Sequence, residues 1–157
     1  MTDIAIRPAR PEDLEVVAEL RWRWVEELHG TSGTPLEEFV PRFVAWAKEN
    51  RSSHRCLVMA RGDVIIGMAF LAIVQRVPHP RTFERASGDV QCVYVVPEER
   101  NGGLGGRLID AVLALGRDLG LERVTVHSSD EAISAYTRHE FTSSPRLLQA
   151  DIRQSAG

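Results

Sequence analysis

Apolar residues recur along this chain with two periods, and the points where one gives way to the other divide it into elements. Leu14, Val17, Ala18, Trp24, Val25 and Leu28 keep helical spacing along a stripe crossed once by Arg21. Pro11 suits the opening of that helix, and Gly30, after His29, suits a left-handed C-cap. Leu36, Phe39, Val40, Phe43, Val44 and Ala47 predict a second helix, with Thr34 as N-cap, Pro35 in the first turn and Glu37 closing a capping box. Pro41 lies inside that stripe, which predicts a kink there or a helix that begins only near Pro41. A third amphipathic helix is predicted from Gly103 to Leu119, ended by Gly120. Ser128 and Glu131 form a capping-box pair for a short fourth helix over Glu131 to Arg138.

Between the helices the period falls to two. Ile4 and Ile6 alternate with polar neighbours, and Cys56 to Ala60 and Val64 to Val74 are β-rich runs joined by Arg61-Gly62-Asp63. Gln75 to Ser87, with Pro78 and Pro80, predicts an exposed loop; Asp89 to Val96 predicts a strand stopped by Pro97. Val124 and Val126 mark another strand, and Leu147 to Ile152 a last one. An antiparallel meander followed by strand-helix-strand-helix predicts a mixed α/β domain with one sheet covered on both faces.

Composition narrows the function classes. With 157 residues, 43% hydrophobic and 26% charged, the chain is expected to be a single domain over 1–157, with no repeat and no low-complexity linker. A net charge of -3 disfavours a nucleic-acid partner, which needs a basic face. No apolar stretch reaches about 18 residues, so no membrane span is expected, and the first residues lack the basic and apolar regions of a signal peptide. Cys56 and Cys92 sit in apolar runs without CxxC spacing, which disfavours a zinc site and a disulfide framework. A cytoplasmic protein without a bound metal is the expectation.

The densest chemical signal is Arg100-Asn101-Gly102-Gly103-Leu104-Gly105-Gly106, between a strand and a helix. Glycines let backbone amides approach a ligand, and the first helical turn supplies unpaired N–H groups and a positive dipole end. The run therefore predicts a phosphate or pyrophosphate site, with Arg100 and Arg107 adding charge. A Walker A loop needs a Lys-Ser/Thr ending, but Gly106 is followed by Arg107-Leu108. A GxGxxG fingerprint fails because Leu108 stands where its last glycine belongs.

The stretch Val93 to Gly105 resembles the coenzyme A signature of the GCN5-related N-acetyltransferase (GNAT) family, whose core Arg/Gln-x-x-Gly-x-Gly/Ala is met by Arg100, Gly103 and Gly105. Ala132-Ile133-Ser134-Ala135-Tyr136-Thr137-Arg138-His139-Glu140-Phe141 resembles the family's Ala-x-x-x-Tyr-x-x-x-Gly-Phe segment, and Ile6 to Leu14 its usual opening. Two departures stand out: Glu140 replaces the usual glycine, and Ser129 an asparagine often found beside the coenzyme's arm.

The resemblance implies a mixed, mostly antiparallel central sheet of roughly six to seven strands flanked by about four helices. It implies an acetyl-CoA-dependent N-acetyltransferase acting on an amine acceptor, with a coenzyme A-binding sensor of the same fold as the alternative. It leaves monomer and homodimer both open. The pantetheine arm would pair with an open strand edge over Val93, Tyr94 and Val95, with a backbone N–H near Val95 facing the thioester oxygen. Arg100, Asn101, Gly102, Gly103, Leu104, Gly105, Gly106 and Arg107 would hold the pyrophosphate, with Ser129 and Ala132 near the arm. Tyr136 matches the tyrosine that protonates the leaving thiolate. Asp89 is the candidate base, sharing strand parity with Val93 and Val95 unless a bulge intervenes, and is also readable as a turn residue after Gly88. Glu26, Glu27 and His79 are other candidates for the base. Cys92 reads as a small core residue before a nucleophile.

Overall fold

The computed structural model describes residues 3–153. The alternating N-terminal residues form β1 (Ile4–Pro8), and a 3-10 turn at Pro11–Asp13 leads into α1 (Leu14–His29). Gly30 closes α1 at φ 74°, its N–H donating to Glu26 O. Asp13 is the buried charged residue at this entry, and Arg7 from β1 donates to its carboxylate at 2.6 Å while the Arg10 N–H donates at 2.7 Å. These donors hold the Asp13 carboxyl below its ordinary range, the Arg7 hydrogen bond contributing most. A depressed folded-state pKa stabilises the fold above the unfolded value of about 3.9 and loses that contribution as pH falls through the folded value. Asp13→Ala is expected to cost about 2 kcal/mol at neutral pH, and the deficit in urea melts should shrink below about pH 4.

α2 (Leu36–Glu49) starts where the stripe predicts, but without the capping box. Its N-cap is Pro35 with no side-chain cap bond, while the carbonyl of Thr34 accepts the indole N–H of Trp22 at 2.7 Å. The helix runs through Pro41, so the prediction of a start near that residue does not hold.

β2 (His54–Arg61) and β3 (Val64–Arg76) form the expected hairpin around Gly62, at φ 60°. β4 (Arg85–Val95) begins earlier than predicted, because β3 and β4 stay in register out to Arg76 and Arg85; the exposed connection shrinks to residues 77–84. α3 (Leu104–Asp118) then crosses to β5 (Val124–Val126). α4 (Ile133–Thr137) follows a 3-10 turn at Asp130–Ala132; Ser128 makes no cap and its hydroxyl donates to Ser129 O.

The strands lie in chain order, β1 to β4 antiparallel and β5 parallel to β4. Ile66 to Ala72 of β3 are all buried, an unbroken run rather than an alternation, because both faces of the sheet are covered. On one face Trp24 of α1 packs on Tyr94, ring centroids 5.9 Å apart, and Phe43 of α2 meets Phe70 edge-on at 6.0 Å. On the other, Leu108 and Val112 of α3 are buried, and Leu121 just beyond the helix closes on Gly88, where a Cβ would stand 2.8 Å from it.

Two expectations are corrected. The sheet has five strands among the described residues rather than six to seven, and Leu147 to Ile152 is not a strand. Past α4 the chain makes a turn in which Leu147 N–H reaches Ser144 O, and Leu147, Leu148 and Ile152 are exposed. Alternating side chains make a strand only where a neighbouring edge supplies the ladder.

Candidate active site

A bulge in β4 builds the site. Phe70 pairs with Cys92 but Leu71 pairs with Val90, so Gln91 is an extra residue with no partner on β3. On its other side β4 pairs with β5 only over Gly88 to Val90. Beyond the bulge, β4 therefore has no neighbour on that side among the described residues. Val96 N–H donates to Ile66 O on β3 at 2.9 Å. By antiparallel alternation the N–H and C=O groups of Val93 and Val95 point the other way, into the gap left by β5. Those of Tyr94 pair with β3, and its ring is buried against Trp24.

The open edge runs directly into the glycine-rich turn. A 3-10 turn at Pro97–Glu99 stops β4, Asn101 takes φ 71° and Gly103 φ 78°, and α3 begins at Leu104. Asparagine is among the few side chains that tolerate the left-handed region, and glycine enters it without strain. The first N–H bonded back into the helix is that of Arg107, to Gly103 O at 3.2 Å, which leaves the N–H groups of the preceding first turn facing outward. A Cβ on Gly102, Gly103 or Gly105 would meet nothing within 4 Å, so a ligand has room to approach the backbone. Gly106 is different: a Cβ there would stand 2.3 Å from the His139 ring.

The two arginines divide their work. Arg107 is exposed on the first turn of α3. Arg100 turns inward: its Nε donates to Val95 O at 2.8 Å, Nη2 donates to Glu27 at 3.1 Å, and the guanidinium lies over the Tyr94 ring. Glu27 also accepts the Tyr94 hydroxyl, and Arg23, one turn earlier on α1, reaches Glu98 at 2.9 Å. Burial foremost, then the Glu27 contact, raises the Tyr94 phenol pKa well above its ordinary value. Glu27, among the candidate bases, ties α1 to the glycine-rich turn. Only the Arg23-to-Glu27 spacing on one helix hinted at this network, since its partners lie far apart in sequence.

Tyr136 sits half-buried on α4, its ring edge-on to Phe141 with centroids 5.3 Å apart. It borders a cavity of about 1080 Å³ between α3, β5, α4 and residues 142–147. Burial raises its phenol pKa, with a smaller contribution from Cys92. The departure at Glu140 is accommodated by φ 73° and a 2.5 Å ion pair to Arg117. Ser129 stands at the N-cap position of the 3-10 turn that carries Ala132, without a side-chain cap bond.

Asp89 lies within β4, not at a turn, and the bulge breaks the parity count. It pairs with Ala72 and so faces the side of Phe70, Cys92 and Tyr94, opposite Val93 and Val95. Its carboxylate accepts the Thr125 hydroxyl at 3.2 Å. Cys92 shares that face, and burial raises its thiol pKa, which makes it a poor nucleophile. Cys56, on the far side of Phe70, is pushed up to about 12 for the same reason.

The chain matches the Acetyltransferase (GNAT) family over residues 15–141. No curated protein is close enough in sequence to count as a relative. Among solved structures it is similar to a predicted acetyltransferase with acetyl-CoA from Clostridium acetobutylicum, at 14% identity and TM-score 0.75, covering 95% of this chain and 96% of that one. It is similar to a Trypanosoma brucei acetyltransferase at 25% identity and TM-score 0.72, covering 96% and 100%. An integron cassette protein from the mobile metagenome of V. cholerae shares the fold at TM-score 0.79 and 11% identity, covering 99% and 95%.

Proposed function

Because the chain belongs to the Acetyltransferase (GNAT) family, we propose that it transfers an acetyl group from acetyl-CoA directly to a primary amine, with β4 and the glycine-rich turn holding the donor. The observation that carries this reading is the β4 edge: after Gln91 it has no neighbouring strand on that side among the described residues, and it is continuous with the open N-terminus of α3. The pantetheine arm pairs along that edge as a strand would, and the pyrophosphate takes the first-turn N–H groups with Arg107 beside them. Arg100, turned inward, fixes the turn rather than the phosphates.

The amine nitrogen attacks the thioester carbon, and the N–H of Val93 or Val95 stabilises the oxyanion. The C–S bond then breaks and the Tyr136 hydroxyl shares its proton with the departing sulfur. A thiolate whose acid has a pKa near ~8.5 is a weaker base than a phenolate, so the proton moves only as the C–S bond breaks. The nitrogen of the tetrahedral intermediate gives its surplus proton to Asp89. Asp89 then returns a proton to solvent and the Tyr136 phenolate takes one up, so the proton lost by nitrogen balances the one gained by sulfur. Asp89→Asn is expected to lower kcat/KM for the amine about 100-fold while acetyl-CoA affinity stays within about threefold, measured by steady-state thiol release and titration calorimetry.

The test of the function is a panel of small amines and amino-terminal peptides assayed with acetyl-CoA by thiol detection. Amine-dependent thiol release supports transfer. Acetyl-CoA binding without release across the panel replaces it with a coenzyme A sensor.

A further inference from the structure

Resting on the reading of Tyr136 as the acid, we propose that His139 is a positioning residue: it clasps α4 to the first turn of α3 and thereby sets where the Tyr136 hydroxyl stands. α4 has five residues and buries none of them, so neither its length nor a core of its own can hold its orientation. The chain instead folds back after it, with His139 N–H and Phe141 N–H both donating to Tyr136 O, at 2.9 and 3.2 Å. Tyr136 is thus bound by backbone to His139 and Phe141, in the turn that follows α4.

His139 carries that turn onto α3 by two contacts on one helix face. Its ring fills the notch at Gly106, where a Cβ would stand 2.3 Å from Nε2 and 2.6 Å from Cε1. Its Nδ1 lies 2.8 Å from Asp110 Oδ1, four residues further along the same face. A carboxylate oxygen accepts, so Nδ1 is the protonated ring nitrogen. The glycine fixes how close the ring comes and the carboxylate fixes its rotation. Phe141 packs edge-on against the Tyr136 ring. The glycine at position 106 therefore serves this contact, whereas Gly103 and Gly105 border open space. A displacement of about 1 Å at a catalytic group costs up to about 100-fold in rate, so a lost clasp registers in turnover before it registers in donor affinity.

The experiment is a double-mutant cycle of His139→Ala with Tyr136→Phe, using the full chain and the best amine of the panel. His139→Ala alone is expected to lower kcat about tenfold with the KM for acetyl-CoA within about threefold. In the Tyr136→Phe background the same change is expected to cost less than about twofold, because there is no hydroxyl left to misplace. Gly106→Ala is expected to lower the melting temperature when His139 is present and to lose most of that penalty once His139 is alanine. Asp110→Asn, which keeps an accepting oxygen, should retain most of the turnover that Asp110→Ala loses. Equal losses in both Tyr136 backgrounds, unchanged kcat in His139→Ala, or a His139→Ala effect confined to the melting temperature would overturn the clasp. If Tyr136→Phe itself turns over at the wild-type rate, the acid assignment fails and the positioning role of His139 fails with it. Relief of Gly106→Ala by His139→Ala in melting curves then still reports the contact.

Discussion

Replacing Tyr136 with phenylalanine is expected to lower kcat about 100-fold while leaving the KM for acetyl-CoA within about threefold. Tyr136 borders the cavity beside β5, whose lining on α3 comes from Leu113, Gly116 and Arg117 rather than from the first turn where the phosphates are proposed to bind, so donor affinity should survive the loss of one oxygen. The phenylalanine ring keeps the edge-on contact with Phe141, so the fold should survive as well. Burial raises the phenol pKa, and the direction matters. A group whose pKa lies above the ordinary value of about 10 stays protonated throughout the neutral range, so wild-type kcat should not fall through loss of this donor below about pH 10. Steady-state thiol release from pH 6 to 10, at about one-unit steps, checks both statements.

Gly105→Asp is expected to weaken acetyl-CoA binding about 100-fold or more without destabilising the protein. Position 105 opens on space where a Cβ meets nothing within 4 Å, so the substitution needs no repacking of the backbone's neighbours. The carboxylate would sit in the first turn of α3, where the helix dipole favours it by about 0.3–1 kcal/mol and where glycine is a poor helix former. Towards a pyrophosphate the same charge is repulsive: two unit charges about 5 Å apart cost about 3 kcal/mol at an effective dielectric near 20. Stability and binding thus move in opposite directions, which separates damage to a ligand site from damage to the fold. A thermal melt beside a calorimetric titration reads both.

The parts of the molecule legible in the sequence are those whose signals are local. Pro97, Gly103 and the apolar stripe from Leu104 fix strand, turn and helix within a few residues of one another, and the structure reproduces that succession with Gly103 left-handed. Gly30 and Gly120 likewise end α1 and α3 with positive φ. Features that depend on a partner were not legible. The bulge at Gln91 exists only in its register with β3, and it moved Asp89 to the face opposite Val93 and Val95. Glu27 meets Tyr94 and Arg100 across more than sixty residues of chain, so its bracing of the glycine-rich turn had no local sign. Thr34 looked like an N-cap, but its carbonyl was claimed by Trp22. The alternation from Leu147 to Ile152 had the side chains of a strand and no neighbour to pair with.

The central claim is that the open edge of β4 and the first turn of α3 form the acetyl-CoA site, and it does not depend on knowing the acceptor. Titration calorimetry of acetyl-CoA into the wild type and into Gly105→Asp, both confirmed folded by their melts, tests it most directly. The expected result is one-to-one binding by the wild type with a Kd in the micromolar range, about 100-fold weaker in the variant. Equal affinity in the two proteins, or no binding by a folded wild type, would contradict it.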